Sequence, residues 1–161
     1  MRGNIFSPES LVSNGIALIL LILAIRKPVA CRLLLCFIFI GASFVNAFMA
    51  IYHPDRYLIY GELAALSSYE QFIMGAFSRH ITTYVLMIAA GQFCIGIFLT
   101  SKGKLLKASL ASAAIFLIAI APLGAGSAFP CTLLLAAACL ILLFKHTSIA
   151  LSNIWLSKIW K

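Results

Sequence analysis

Between His53 and His80 the chain gathers most of its ionisable chemistry: two of its three histidines, Glu62 and Glu70, its only aspartate Asp55, and Arg56 and Arg79. Carboxylates and imidazoles move protons and ligate metals. His53, Glu62, Glu70 and His80 are therefore the first residues to weigh. Their spacing matches no recognised metal motif, and no metal is implied. At roughly 100° per residue, Leu63, Leu66, Glu70, Ile73 and Phe77 fall on one helical arc, with Glu62 and Tyr69 at its edge. The pattern predicts an amphipathic helix over 62–74, bracketed by Gly61 and Gly75, with a carboxylate in its apolar stripe. Buried without a partner, such a carboxylate costs several kcal/mol or takes up a proton. Two readings stay open. Glu70 pairs with Arg79 or Arg56 at the membrane edge, or it serves, with Glu62, as a proton or ligand partner at the mouth of a bundle.

Three further polar residues stand inside apolar runs: Asn14, Asn46 and Gln92. Amides in such places usually bond between helices, each bond contributing about 0.6 kcal/mol. Because they point toward the same side as Glu70, they could also outline one pocket, within reach of Tyr84 and Ser127.

The elements that must position these residues follow from composition. Of 161 residues, 63% are hydrophobic and 10% charged. A soluble domain of this size is closer to half apolar and a quarter charged, so lipid must be the solvent. The net charge of +8 sits in short clusters between apolar runs, which excludes the continuous basic face of a nucleic-acid binder. The five cysteines form no Cys-x-x-Cys pair, which sets aside thiol redox chemistry and favours small apolar residues within helices. No phosphate-binding glycine loop, zinc-protease helix, nucleophile elbow or haem-suited histidine pair is present, and no cofactor is implied.

The chain reads as a single all-α unit over 1–161, a polytopic transmembrane helical bundle. Its five spans are expected at about 8–25, 33–52, 81–100, 105–121 and 129–144, with a four-helix core possible. Ser7 and Pro8 cap and start the first span, and Arg26-Lys27-Pro28 stops it. An outer amphipathic segment occupies 53–80. The uncharged Gly- and Pro-rich stretch 122–130 is a tight turn or a short re-entrant bend. The tail 146–161, with Trp155 and Trp160 among Ser and Lys, suits a helix lying in the cytoplasmic interface. Nine of the twelve Lys and Arg residues fall in the links 26–32 and 102–107 and from Lys145 onward; only Arg2, Arg56 and Arg79 fall on the other side. The positive-inside rule then places the N-terminus and 53–80 outside and the C-terminus in the cytoplasm, as in a multi-pass protein of a bacterial inner membrane.

Tyr60-Gly-Glu-Leu-Ala, Tyr69-Glu-Gln-Phe-Ile and the hairpin 122–130 followed by Cys131-Thr-Leu-Leu-Leu resemble the small bacterial membrane proteins called DoxX-like, over about residues 33–145. That resemblance implies a short helical bundle with an extra segment between early spans, here with one span more than the usual four. It also implies a membrane subunit sometimes associated with quinone or thiol redox systems. No functional residue carries over. Three functions are compatible with the residues. The first is a non-catalytic subunit or accessory protein of a membrane complex, presenting 53–80 and the tail to a membrane protein partner. The second is a binder or enzyme for a lipid-like or quinone-like molecule in an extracytoplasmic pocket. The third, a small homo-oligomeric transporter, has least behind it, since no span carries a charge well inside the bilayer.

Overall fold

The computed structural model describes residues 7–145. The expected interfacial tail lies outside the described residues, as do Arg2, Lys158 and Lys161. Within them the chain is 88% helix, with no strand. The long helices are α1 (Pro8–Arg26) and α2 (Pro28–Tyr52); after the short helices α3 (Ile59–Leu63) and α4 (Ser67–Phe72) come α5 (Ile81–Phe98), α6 (Gly103–Ile120) and α7 (Cys131–Phe144). Three stretches are long and apolar enough to cross a membrane: Pro28–Tyr52, Ile81–Phe98 and Gly103–Gly124. Two more apolar helices, Ser10–Arg26 and Cys131–Phe144, are shorter.

Local chemistry explains the boundaries. Ser7 accepts a hydrogen bond from the Ser10 amide, and Pro8 occupies the first helical turn, where no donor is needed. Pro28 does the same for α2. The link expected over 26–32 therefore shrinks to Lys27, whose N–H closes α1 on the Leu23 carbonyl at 2.7 Å. Arg32 then falls inside α2.

The long helices form a closed ring: α1 packs between α7 and α2, α5 between α2 and α6, and α7 completes the circle against α6 and α1. Leu20, Leu35, Leu110, Cys139 and Leu142 are among the residues filling its centre. The α2–α5 seam is the closest. Gly96 lies where a Cβ would stand 2.6 Å from Ile40 Cγ1, and Ser43 Oγ and Thr82 Oγ1 donate across it to the carbonyls of Ala89 (2.7 Å) and Ala50 (3.0 Å). On α6, Ser109, Ala113 and Ala114 turn inward, while Ala108 and Ser112 are exposed.

Two basic residues tie one end of the ring together. Arg32, 0% exposed, donates through Nη2 to the carbonyls of Leu99 (2.9 Å) and Ser101 (2.8 Å), capping the C-terminus of α5. Lys145 donates to the carbonyls of Ala24 (3.4 Å) and Ile25 at the end of α1. Positive groups at helix C-termini satisfy orphan carbonyls and oppose the helix dipole. At the other end, the Ala65 amide donates to the Pro122 carbonyl at 2.8 Å, joining 53–80 to the α6–α7 connection.

That contact breaks the helix expected over 62–74. Ala64 and Leu66 take extended conformations (ψ 135° and 132°), which turns the Ala65 amide out to Pro122. The amphipathic arc is split between α3 and α4, followed by a π-helical turn at Ile73–Phe77. The stretch 121–127 is a 3-10 turn with Gly124 at φ 66°, ψ −130°, closed by Ser127 Oγ on the Gly124 carbonyl at 3.0 Å.

Candidate functional site

The α5–α6 hairpin is clamped near its connecting turn by Ser109 Oγ, which donates to the Ile95 carbonyl at 2.8 Å. Beyond the clamp the two helices face each other across a cavity of about 280 Å³, lined by Val85, Ile88 and Gln92 on one side and Phe116 and Ile120 on the other. Segment 53–80 forms its roof. Ile73 and Phe77 come from the π turn, a feature that recurs at functional sites. Tyr57, Tyr60, Tyr69 and Phe72 also line the space, so most of the wall is aromatic or aliphatic. Among the described residues no Asp, Glu, Lys, Arg or His lines it.

Three polar side chains are bonded in series at its inner edge. The Tyr57 hydroxyl donates to Asn46 Oδ1 at 2.8 Å, and Asn46 Nδ2 donates to Gln92 Oε1 at 2.7 Å. Gln92 is 6% exposed, and its NH2 group donates to nothing among the described residues. Burial pushes the Tyr57 phenol up to about 12, with Tyr60 adding to the shift. Burial raises Tyr60 as well. Both phenols therefore keep their protons at neutral pH and act as hydrogen-bond donors.

Glycines set the position of the roof. A Cβ on Gly124 would lie 2.8 Å from the Leu63 carbonyl oxygen, and one on Gly126 would lie 2.4 Å from Tyr60 Cδ1. Tyr60 can approach the 121–127 turn this closely only because Gly126 has no side chain. Tyr69 reaches the other way, its hydroxyl donating to the Ala119 carbonyl of α6 at 2.7 Å. Tyr84 stacks on Phe77, ring centroids 5.6 Å apart.

Of the residues singled out from sequence, Asn46 and Gln92 meet at the cavity, and Ser127 joins them. Asn14 sits on α1, which contributes nothing to the wall. Glu62, His53, His80, Arg56 and Arg79 are exposed on the outer surface of the roof, and Glu70 is half-buried on α4 outside the wall. Among the described residues no three His, Cys, Asp or Glu side chains converge as metal ligands do.

Reasoning from sequence missed Tyr57, Tyr60 and Tyr69. One signal was available: three tyrosines in a segment of unusual polarity, opposite a Gly-x-Gly turn able to receive a ring. It also counted Arg32 as a loop charge, although its place four residues after a helix-starting proline puts it inside the helix. Compared with family models, curated proteins and solved structures, the chain matches none of them.

Proposed function

We propose that this chain is a membrane-embedded binding protein that holds one neutral, lipid-soluble molecule between α5 and α6 beneath the 53–80 roof. The observation that carries this reading is the cavity: mostly apolar, lined by no Asp, Glu, Lys, Arg or His among the described residues, and edged by a buried amide with open donors. A neutral wall suits an uncharged occupant, since a charge taken there would lose hydration without a counter-ion. Pockets of this kind, apolar with a few placed polar groups, are where small molecules are held. The accessory-subunit role has no comparable feature behind it.

The proposal includes five crossings. α1 runs about 28 Å and α7 about 21 Å at ~1.5 Å per residue, the second short of the ~30 Å core. Both belong to the same ring as the three longer spans, and Lys145 meets the end of α1. Five crossings with the N-terminus outside place the roof and the cavity at the extracytoplasmic side, in a DoxX-like bundle with one added helix. A reporter active only outside the cytoplasm, fused after Lys161, is expected to stay silent; activity there reverses the orientation.

The binding reading is tested by purifying the full chain in mild detergent and identifying co-purifying small molecules by mass spectrometry. Ile120→Trp, at a half-buried wall position, fills the cavity and is expected to lose the bound molecule, at least tenfold by occupancy, while the protein stays monodisperse. The same molecule at the same occupancy in both proteins removes the cavity from consideration.

A further inference from the structure

The following inference rests on the pocket reading above and concerns what the pocket takes and how it enters. Three observations combine. The first is size. A cavity of about 150 Å³ holds one benzene, so about 280 Å³ holds a head of one ring and the first few carbons beyond it. A membrane lipid's full chain does not fit inside.

The second is the set of open polar groups. The hydroxyls of Tyr57, Tyr69 and Ser127 are already donating to Asn46, Ala119 and Gly124. The donors left open on the wall are the Gln92 NH2, the second N–H of Asn46 Nδ2, and the Tyr60 hydroxyl, which meets no hydrogen-bond partner among the described residues. An amide NH2 can only donate, and a protonated phenol donates readily. Because they face the cavity, an acceptor on an occupant would satisfy them. The matching occupant carries uncharged oxygen acceptors.

The third is an opening. Phe72 and Ile88 line the cavity and are also 48% and 38% exposed, so the wall is incomplete between α4 and α5 on the flank shared with α6. Both exposed residues are apolar, as suits an opening toward lipid in the membrane-spanning reading proposed above. The Tyr69–Ala119 hydrogen bond spans the same flank between roof and α6.

We infer that the occupant is a single-chain lipid with an uncharged carbonyl-bearing head. The head sits against Gln92 and Tyr60, and the tail leaves sideways into the bilayer past Phe72 and Ile88. Carbonyl acceptors on an apolar chain occur in quinones and in acylglycerols, and the experiment separates the two.

The full chain in lipid nanodiscs is titrated with four probes: a decyl-tailed benzoquinone, a monoacylglycerol with a ten-carbon chain, the benzoquinone without its tail, and decylbenzene. The two tailed carbonyl probes are expected to bind more tightly than the others, and the tighter of the two names the source. Tyr60→Phe is expected to weaken their binding about fivefold, as for one hydrogen bond. It should leave decylbenzene binding and ligand-free thermal stability unchanged, because that hydroxyl has no protein partner. Ile88→Trp narrows the gap and is expected to weaken the tailed probes only.

Equal binding of decylbenzene overturns the carbonyl head. Equal binding of the tail-less quinone, or indifference to Ile88→Trp, overturns the lateral exit. In either case the pocket itself stands. If no probe binds and Ile120→Trp changes nothing, the pocket reading fails with the inference.

Discussion

Gly124→Val is expected to be the most damaging single substitution in the half of the bundle that carries the roof. Gly124 sits at φ 66°, ψ −130°, a region that side chains with a Cβ essentially do not enter and that costs about 1–3 kcal/mol to hold. The added Cβ would also stand 2.8 Å from the Leu63 carbonyl oxygen, a backbone atom that cannot swing aside. Relief requires the roof to lift from the 121–127 turn, which breaks the Ala65–Pro122 hydrogen bond. Together these effects give a loss of about 3 kcal/mol, or roughly 10 °C in Tm for a chain of this size. Ligand binding should fall further than stability, because the roof supplies much of the wall. Gly91→Val is the control: nothing lies within 4 Å of the Cβ it would gain. Equal melting temperatures for Gly124→Val and Gly91→Val in the same detergent would show that the roof does not depend on this turn.

Arg32→Met is expected to destabilise the opposite end. The side chain is fully buried, and its Nη2 holds two carbonyls at the end of α5. Methionine matches the length and apolar stem but leaves both acceptors unbonded. Hydrogen bonds involving a charged partner contribute about 1.5–3 kcal/mol each, so a loss of about 3 kcal/mol is expected, and Arg32→Lys should recover part of it. Orientation should not change. The basic side retains eight residues against three after the loss of one from nine, and the bias remains strong. A variant that inserts in the opposite orientation with unchanged stability would show that Arg32 acts as a topology signal and not as a cap.

These two positions illustrate what could be read from the chain directly. Arg32 is legible as a basic residue on the Lys- and Arg-rich side. Its burial is not, because that depends on α5 ending beside the start of α2. Gly124 is legible as part of a breaker-rich turn; the need for glycine comes from Leu63, about sixty residues away. The same holds for the helix expected over 62–74. Its periodicity is present in the sequence, but one inter-segment hydrogen bond from Ala65 outweighs local propensity and divides it. Glu70, the local conflict that drew attention first, lies outside the wall, and the groups around the cavity are amides and phenols. Charges announce themselves in an apolar sequence, whereas tyrosines in a mixed segment read as ordinary interface residues.

The sequence by itself determined the all-helical class, the apolar helices able to cross a membrane, the proline and serine signals that start α1, and the asymmetry of charge between the two ends. Each is a local or compositional property, set by period, length and transfer energy. Only the tertiary structure decided the ring order of the helices, the broken roof, and the meeting of Tyr57, Asn46 and Gln92 at one cavity. Apolar helices pack in many orders with similar burial, and the choice among them rests on close approach at Gly96, Gly124 and Gly126 and on a few hydrogen bonds between distant residues.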